Sequence, residues 1–166
     1  MKKRGQILGL PLILLFSLIV GAFILLYGTK VILNLTEEAE YVEFLDQLGD
    51  LDTTIQTFQN YDAGSSKIYT LNLPKGIESI CFYDSMQENS CSFNGEDCSA
   101  ELEGEFNLIL DEEYNIYIFP QGLYDRNRFL IENFQTEDAN PVCLSNGGSV
   151  AIQSQKEYVG ISYYEK

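Results

Sequence analysis

Histidine and tryptophan are absent from the 166 residues of this chain. Without histidine the chain lacks the commonest general base and the usual partner of an activated serine or cysteine. Hydrolysis by a carboxylate pair stays open, but the acidic clusters Glu37-Glu38, Glu96-Asp97 and Asp111-Glu112-Glu113 have the character of solvated groups at helix starts, turns and loops. The sequence therefore predicts no enzyme, no catalytic residue and no cofactor.

Basic residues are scarce, at 10 against 25 acidic ones, and the formal net charge is −15. All 25 acidic residues lie at or beyond Glu37, and only six of the basic residues do. Nucleic acids and anionic lipids are bound chiefly through cationic side chains, so this part of the chain is not expected to bind either. Solubility is the ordinary explanation for such an excess of one charge.

No pair of cysteines has the spacing of a zinc site. Cys81, Cys91, Cys98 and Cys143 are separated by 10, 7 and 45 positions, and no C-x-x-C is present. Calcium binding in the loop at residues 94–105 is an alternative without EF-hand spacing, so no metal ligand is predicted. We favour two disulfides, with Cys91–Cys98 closing a short loop and Cys81–Cys143 joining distant strands. Four cysteines allow three connectivities, and the other pairings stay open.

A long apolar run begins almost at the N-terminus, since no residue between Arg4 and Lys30 is charged. Residues 7–27 would form a helix long enough to cross a hydrocarbon core of roughly 30 Å. A cleaved secretory signal would have a shorter apolar region and a small-x-small site, and no convincing site follows this run. Basic residues precede the run and acidic residues follow it, which predicts a single-pass protein of the cell membrane with a cytoplasmic N-terminus. The C-terminal part, with its cysteines, is then extracellular.

A helical pattern continues beyond the apolar run. Apolar residues at spacings of 3, 4, 3, 4 and 3 predict an amphipathic helix that ends near residue 60. This stripe is typical of a short coiled-coil seam or of a helix face packed on the protein's own sheet, and we favour the second interpretation. Its members are Tyr41, Phe44, Leu48, Leu51, Ile55 and Phe58.

From about residue 67 onward the period becomes that of extended chain. Strands are predicted at residues 67–73, 79–83, 106–110, 114–119, 142–145, 149–153 and 158–164, with another short apolar run at 129–134. Residues 84–105 are interpreted as a long loop, and residues 106–110 and 114–119 as a hairpin.

The predicted fold is α+β, with a long N-terminal helix, first membrane-spanning and then amphipathic, packed on a C-terminal antiparallel β-sheet domain. A sandwich is the alternative. The predicted divisions are a basic leader at residues 1–5, a transmembrane helix at 6–33, an amphipathic extension at 34–60 and an extracytoplasmic β-rich domain at 61–166.

The extreme N-terminus, Lys2-Lys3-Arg4-Gly5-Gln6 followed directly by the apolar run, resembles the class III signal peptide of archaeal type IV pilin-like proteins. The resemblance implies that a prepilin peptidase cuts after Gly5, with Lys3 and Arg4 as recognition residues and Gln6 as the new N-terminus. It also implies other pilin-like subunits as partners, whose apolar helices bundle into a filament core. The chain differs from many family members at the fifth mature position, where Leu10 replaces a glutamate.

Taken together, the span and the resemblance predict a pilin-like, membrane-anchored protein of the cell envelope. Its role would be structural or adhesive, with an acidic β domain displayed outside the cell. The alternative is a single-pass anchored ectodomain that binds a protein or ligand and does not assemble into filaments.

Overall fold

A computed structural model describes residues 9–88, 90–111 and 113–165 of the chain. It begins with α1 (Gly9–Phe58), a helix of 50 residues. The chain divides into two compact units, Met1–Glu40 and Tyr41–Lys166, so α1 contributes to both. The long helix and the β-rich remainder confirm the predicted α+β class.

In the second unit, α1 presents the predicted apolar stripe to a hydrophobic core. Residues three and four positions apart lie on one face of a helix, which is why these side chains are buried together. The stripe therefore packs against the protein's own sheets, as favoured above, and is not exposed as a coiled-coil seam. Its fully or almost fully buried members are Phe44, Leu48, Leu51, Ile55 and Phe58.

The described residues form ten strands in two sheets. The strands are β1 (Ser66–Thr70), β2 (Ser79–Phe82), β3 (Ser92–Phe93), β4 (Glu96–Asp97), β5 (Ile116–Phe119), β6 (Arg128–Phe129), β7 (Phe134–Thr136), β8 (Val142–Ser145), β9 (Ser149–Ser154) and β10 (Val159–Tyr164). One sheet has the order β1-β9-β10-β7 and the other β4-β3-β8-β2-β5-β6. Both are mixed rather than purely antiparallel, because β7 pairs parallel with β10 and β3 pairs parallel with β8.

The six-stranded sheet separates two hydrophobic cores. Successive side chains of a strand point to opposite faces of its sheet. Ile80 of β2 and Ile118 of β5 belong to the core that contains the α1 stripe, whereas Cys81 and Tyr117 belong to a second core around Phe106. The central strands are consequently buried on both faces.

The second core is covered by a helix, α2 (Ala100–Ile109), where the sequence predicted the end of a loop and then a strand. The Ser99 hydroxyl caps this helix by accepting a hydrogen bond from the Leu102 amide at 3.3 Å. Glu101 and Glu103 occupy the first turn, where negative charge stabilises the helix dipole. These local signals outweigh the strand propensity of the apolar residues that follow.

The strand predicted at residues 106–110 and its hairpin with residues 114–119 are therefore wrong. Phe106 is 2% exposed on the inner face of α2, so its burial reflects a helical face and not a strand. β5 pairs instead with β2 on one side and β6 on the other.

Two further segments differ from the sequence interpretation. The supposed long loop contains the hairpin β3–β4, which turns at Asn94 and Gly95 with φ values of 51° and 85°. Positive φ at both central residues is typical of a tight hairpin turn, and Asn-Gly is its commonest sequence. The apolar run at residues 129–134 contributes its ends to different sheets, through β6 and β7.

Candidate functional site

The first candidate site is an apolar surface, defined here as the exposed side chains of α1 from Leu12 to Leu33. The large apolar side chains in this stretch are 38% to 74% exposed, with Leu18 at 74% and Leu25 at 73%. Soluble monomers seldom leave a continuous apolar surface of this extent in water. The apolar surface therefore requires lipid or other protein as its surroundings.

Polar side chains within the apolar surface are satisfied by the helix itself. The hydroxyl of Ser17 donates to the Leu14 carbonyl at 2.9 Å, and that of Thr29 donates to the Leu25 carbonyl at 2.6 Å. An unsatisfied polar group costs several kcal/mol in hydrocarbon, so such bonds suit a helix without water around it. Among the described residues, α1 is the helix long and apolar enough to cross a membrane.

The residues predicted for processing, Lys3, Arg4, Gly5 and Gln6, lie outside the described residues. Cleavage of a leader after Gly5 stays a prediction of the sequence.

The second candidate site contains two disulfides. Cys81 of β2 and Cys143 of β8 are direct partners in an antiparallel pair, with Cα atoms 4.0 Å apart, and both are 0% exposed. Cys91 and Cys98 flank the β3–β4 hairpin, with Cα atoms 5.4 Å apart, and are partly exposed. These are the two pairs that the sequence analysis favours among three connectivities.

The two disulfides are neighbours in space. The Sγ atoms of Cys91, Cys98 and Cys143 all lie within 4.8 Å of one another. The parallel pairing of β3 with β8, in which Phe93 is opposite Cys143, brings the hairpin beside the buried bridge. Because all three sulfur atoms are in disulfides, they do not offer the thiolates that a metal ion would require.

An open groove of about 490 Å³ lies along the Cys91–Cys98 bridge. Its lining includes the carboxylate side chains of Glu96, Asp97 and Asp138, and no lysine or arginine is among its described lining residues. The groove is therefore a region of negative potential.

One wall of this groove, called the acidic groove below, is formed by a close contact that requires a glycine. A Cβ atom at Gly95 would lie 2.6 Å from two ring carbons of Tyr163, and the φ of Gly95 is +85°. Only glycine fits both the close contact and the backbone conformation. Tyr163 of β10 and the β3–β4 hairpin belong to different sheets, so this contact joins them at the groove.

Within residues 94–105, the segment for which calcium binding is the alternative, the Asn94 side chain is hydrogen-bonded to β8. The side-chain oxygen of Asn94 accepts a hydrogen bond from the Ser145 amide at 3.0 Å, and its nitrogen donates to the Ser145 hydroxyl at 3.0 Å. This amide is therefore engaged in holding the hairpin to β8.

Two of the acidic clusters named in the sequence analysis lie in different surroundings within the second unit. Glu96 and Asp97 are exposed on β4, and Asp111 lies 3.8 Å from Arg128 in an ion pair. The absence of enzyme activity stays a prediction.

The second core contains a tyrosine whose ionisation is suppressed. The Tyr117 hydroxyl donates to the Asp111 carbonyl at 2.8 Å and accepts from the Asp111 amide at 2.9 Å. Burial raises the pKa of the Tyr117 phenol above its usual value, although the hydrogen bond that its oxygen accepts from the Asp111 amide opposes this change. Burial also raises the pKa of Tyr41 and of Tyr69.

Raised phenol pKa values predict a loss of stability at alkaline pH. The unfolded chain releases these protons first as the pH rises past about 10, so the free energy of unfolding decreases from there toward the folded-state pKa. Tyr117→Phe should lower stability at neutral pH through its lost hydrogen bonds, yet flatten the decline above pH 10, as measured by urea unfolding at successive pH values. Tyr61→Phe, at a position 49% exposed, is the control. If the free energy of unfolding of Tyr117→Phe decreased as steeply above pH 10 as that of the unaltered protein, this account would be contradicted.

Comparisons with protein-family models, with curated proteins and with solved structures find no match to this chain.

Proposed function

We propose that this chain is a pilin-like protein of the cell envelope. Its N-terminal helix holds it in the membrane, its second unit is displayed outside the cell, and its apolar surface also packs against other pilin-like subunits. The observation that carries the proposal is that one continuous helix, α1, bears the apolar surface in its first part and supplies the core of a disulfide-bonded domain in its second part. The role in the envelope is structural or adhesive.

The direction of insertion is supported by charge and by the disulfides. Basic residues are concentrated before the apolar run and acidic residues after it, the distribution expected when the N-terminus stays in the cytoplasm. Disulfides form and persist in oxidising compartments, and all four cysteines follow the run. Both features fit an extracellular second unit.

Assembly through the apolar surface is supported by its small residues. Gly21 and Gly28 are seven positions apart, and nothing lies within 4 Å of a Cβ atom built at either position. Residues seven apart lie on nearly the same side of a helix, and glycine lets a neighbouring helix approach closely in a nonpolar environment. The same surface thus suits lipid before assembly and a helix bundle after it.

A second candidate function is a single-pass anchored ectodomain that binds a partner without forming filaments. The absence of a glutamate favours this candidate, because Leu10 occupies the position where many pilins carry one. This candidate keeps its leader and needs no prepilin peptidase.

The N-terminal residue of the protein, purified from its native membrane, distinguishes the two functions. Mass spectrometry of the terminal peptide should find Gln6 as the first residue. The double variant Lys3→Gln, Arg4→Gln should keep its leader, whereas Lys2→Gln, which removes one charge outside the recognition pair, should be processed normally. A start at Met1 or Lys2 in the unaltered protein would overturn the pilin-like proposal and favour the anchored ectodomain.

A further inference from the structure

The buried disulfide has no direct access to solvent. Cys81 and Cys143 are both 0% exposed, in central strands that are covered on both faces. A reductant or oxidant in solution therefore cannot reach these sulfur atoms while the second unit is folded. The Cys91–Cys98 bridge, in contrast, lines the acidic groove and is partly exposed.

We propose that the Cys91–Cys98 bridge is a thiol–disulfide exchange site, through which external dithiols reduce the buried Cys81–Cys143 bridge and external disulfides oxidise it. The proposal depends on the sulfur positions within the second unit, and it holds whether or not the chain assembles as a pilin.

The geometry selects which buried sulfur is attacked. The Sγ of Cys143 lies within 4.8 Å of the Sγ atoms of both Cys91 and Cys98. Exchange requires a thiolate to approach one sulfur of a disulfide and expel the other. Cys143 is therefore the sulfur that accepts the attack, and Cys81 is the leaving thiolate.

The transfer balances in three steps. An external dithiol reduces Cys91–Cys98, which gives two thiols on the hairpin and one disulfide on the reagent. The Cys91 thiolate then attacks the Sγ of Cys143, which forms a Cys91–Cys143 disulfide and releases the Cys81 thiolate. Finally the Cys98 thiolate attacks the Sγ of Cys91, which restores Cys91–Cys98 and releases the Cys143 thiolate. Two electrons have passed inward, two protons complete the Cys81 and Cys143 thiols, and the same steps in reverse oxidise the buried pair.

The carboxylates of the groove select among reagents. Glu96, Asp97 and Asp138 line it without a basic residue among the described lining. Like charges repel at this range, so anionic thiols should react more slowly than neutral thiols, and cationic thiols faster. Salt should reduce the difference, because the groove is open to solvent.

The first experiment compares the full-length protein in detergent with the double variant Cys91→Ser, Cys98→Ser. Each is exposed to dithiothreitol at pH 8 without denaturant, quenched by alkylation at successive times and mapped by mass spectrometry. In the unaltered protein, Cys81 and Cys143 should become alkylated under these native conditions. In the double variant their alkylation should be slower by about tenfold or more, because only unfolding remains as a route. Loss of a disulfide destabilises the variant and would accelerate that route, so slower reduction cannot result from misfolding.

A second experiment gives a result that does not depend on the stability of the variant used. In Cys98→Ser the Cys91 thiol has no partner, and it should exchange with the buried bridge when no reductant is added. Mapping should then find a Cys91–Cys143 disulfide together with a free Cys81 thiol. Recovery of Cys81–Cys143 alone, with Cys91 free, would overturn the proposal.

The third experiment tests the reagent class. Cysteamine, 2-mercaptoethanol and 2-mercaptoethanesulfonate carry positive, neutral and negative charge. Their rates of reaction with Cys91–Cys98, corrected for the fraction of thiolate, should decrease in that order at low salt and converge in 1 M NaCl. Equal rates at low salt would contradict selection by the groove.

Discussion

A fragment comprising residues 41–166 is expected to fold and to stay soluble without detergent, whereas a fragment comprising residues 61–166 is expected to be unfolded. The first retains the part of α1 that belongs to the second unit and lacks the apolar surface. The second lacks the α1 stripe, whose five buried side chains run from Phe44 to Phe58. Truncation of one such side chain typically costs about 2–5 kcal/mol, and a domain is stable by only about 5–15 kcal/mol in total.

Circular dichroism and denaturant unfolding of the two fragments test this expectation. The 41–166 fragment should unfold cooperatively, and the 61–166 fragment should give no transition. Within the longer fragment, Leu51→Ala should lower the free energy of unfolding by about 2–5 kcal/mol, because Leu51 is 0% exposed. The matched control is Gln56→Ala on the exposed side of the same helix. Cooperative unfolding of the 61–166 fragment would show that α1 is dispensable for the core.

Acidic substitutions in the apolar surface are expected to abolish membrane association. Leu18 and Leu25 are 74% and 73% exposed, so neither substitution disturbs a core among the described residues. A charged side chain in the middle of a membrane-spanning helix costs about 2.5–3.5 kcal/mol by insertion scales. The double variant Leu18→Asp, Leu25→Asp should therefore fail to insert, and it should be lost from the membrane fraction in a flotation gradient.

Val42→Asp is the control for this loss. Val42 is an apolar residue of α1 that is 56% exposed, but it belongs to the second unit. This variant should float with the membranes as the unaltered protein does. Continued flotation of the double variant would show that the apolar surface is not what attaches the chain to lipid.

Local periodicity was sufficient to predict α1 and most of the central strands. The spacing of the α1 stripe and the short apolar runs of β2 and β5 are properties of contiguous residues, and burial follows from them directly. The error at residues 106–110 has a local cause as well. Ser99 as N-cap, with acidic residues in the next turn, is a helix-start signal that strand propensity obscured.

The groove and the adjacency of the disulfides could not be predicted in the same way. Gly95, Asp138 and Tyr163 meet only because two sheets place them together. Cys98 and Cys143 become neighbours through the parallel pairing of β3 with β8, a contact between strands that are distant in sequence. The β3–β4 hairpin itself could have been predicted from the sequence, since Asn94-Gly95 is a strong signal for a tight turn.

The buried disulfide also determines how the protein would respond to mechanical tension. Cys81 and Cys143 are separated by 62 positions. If tension were applied between α1 and the C-terminus, an intact bridge would transmit it directly from β2 to β8. The enclosed segment, which includes α2 and the hairpin, would then bear no load, and roughly 200 Å of chain would be withheld from extension. Reduction of one bond would release that length, so the redox state of a single cysteine pair sets how far the chain can stretch.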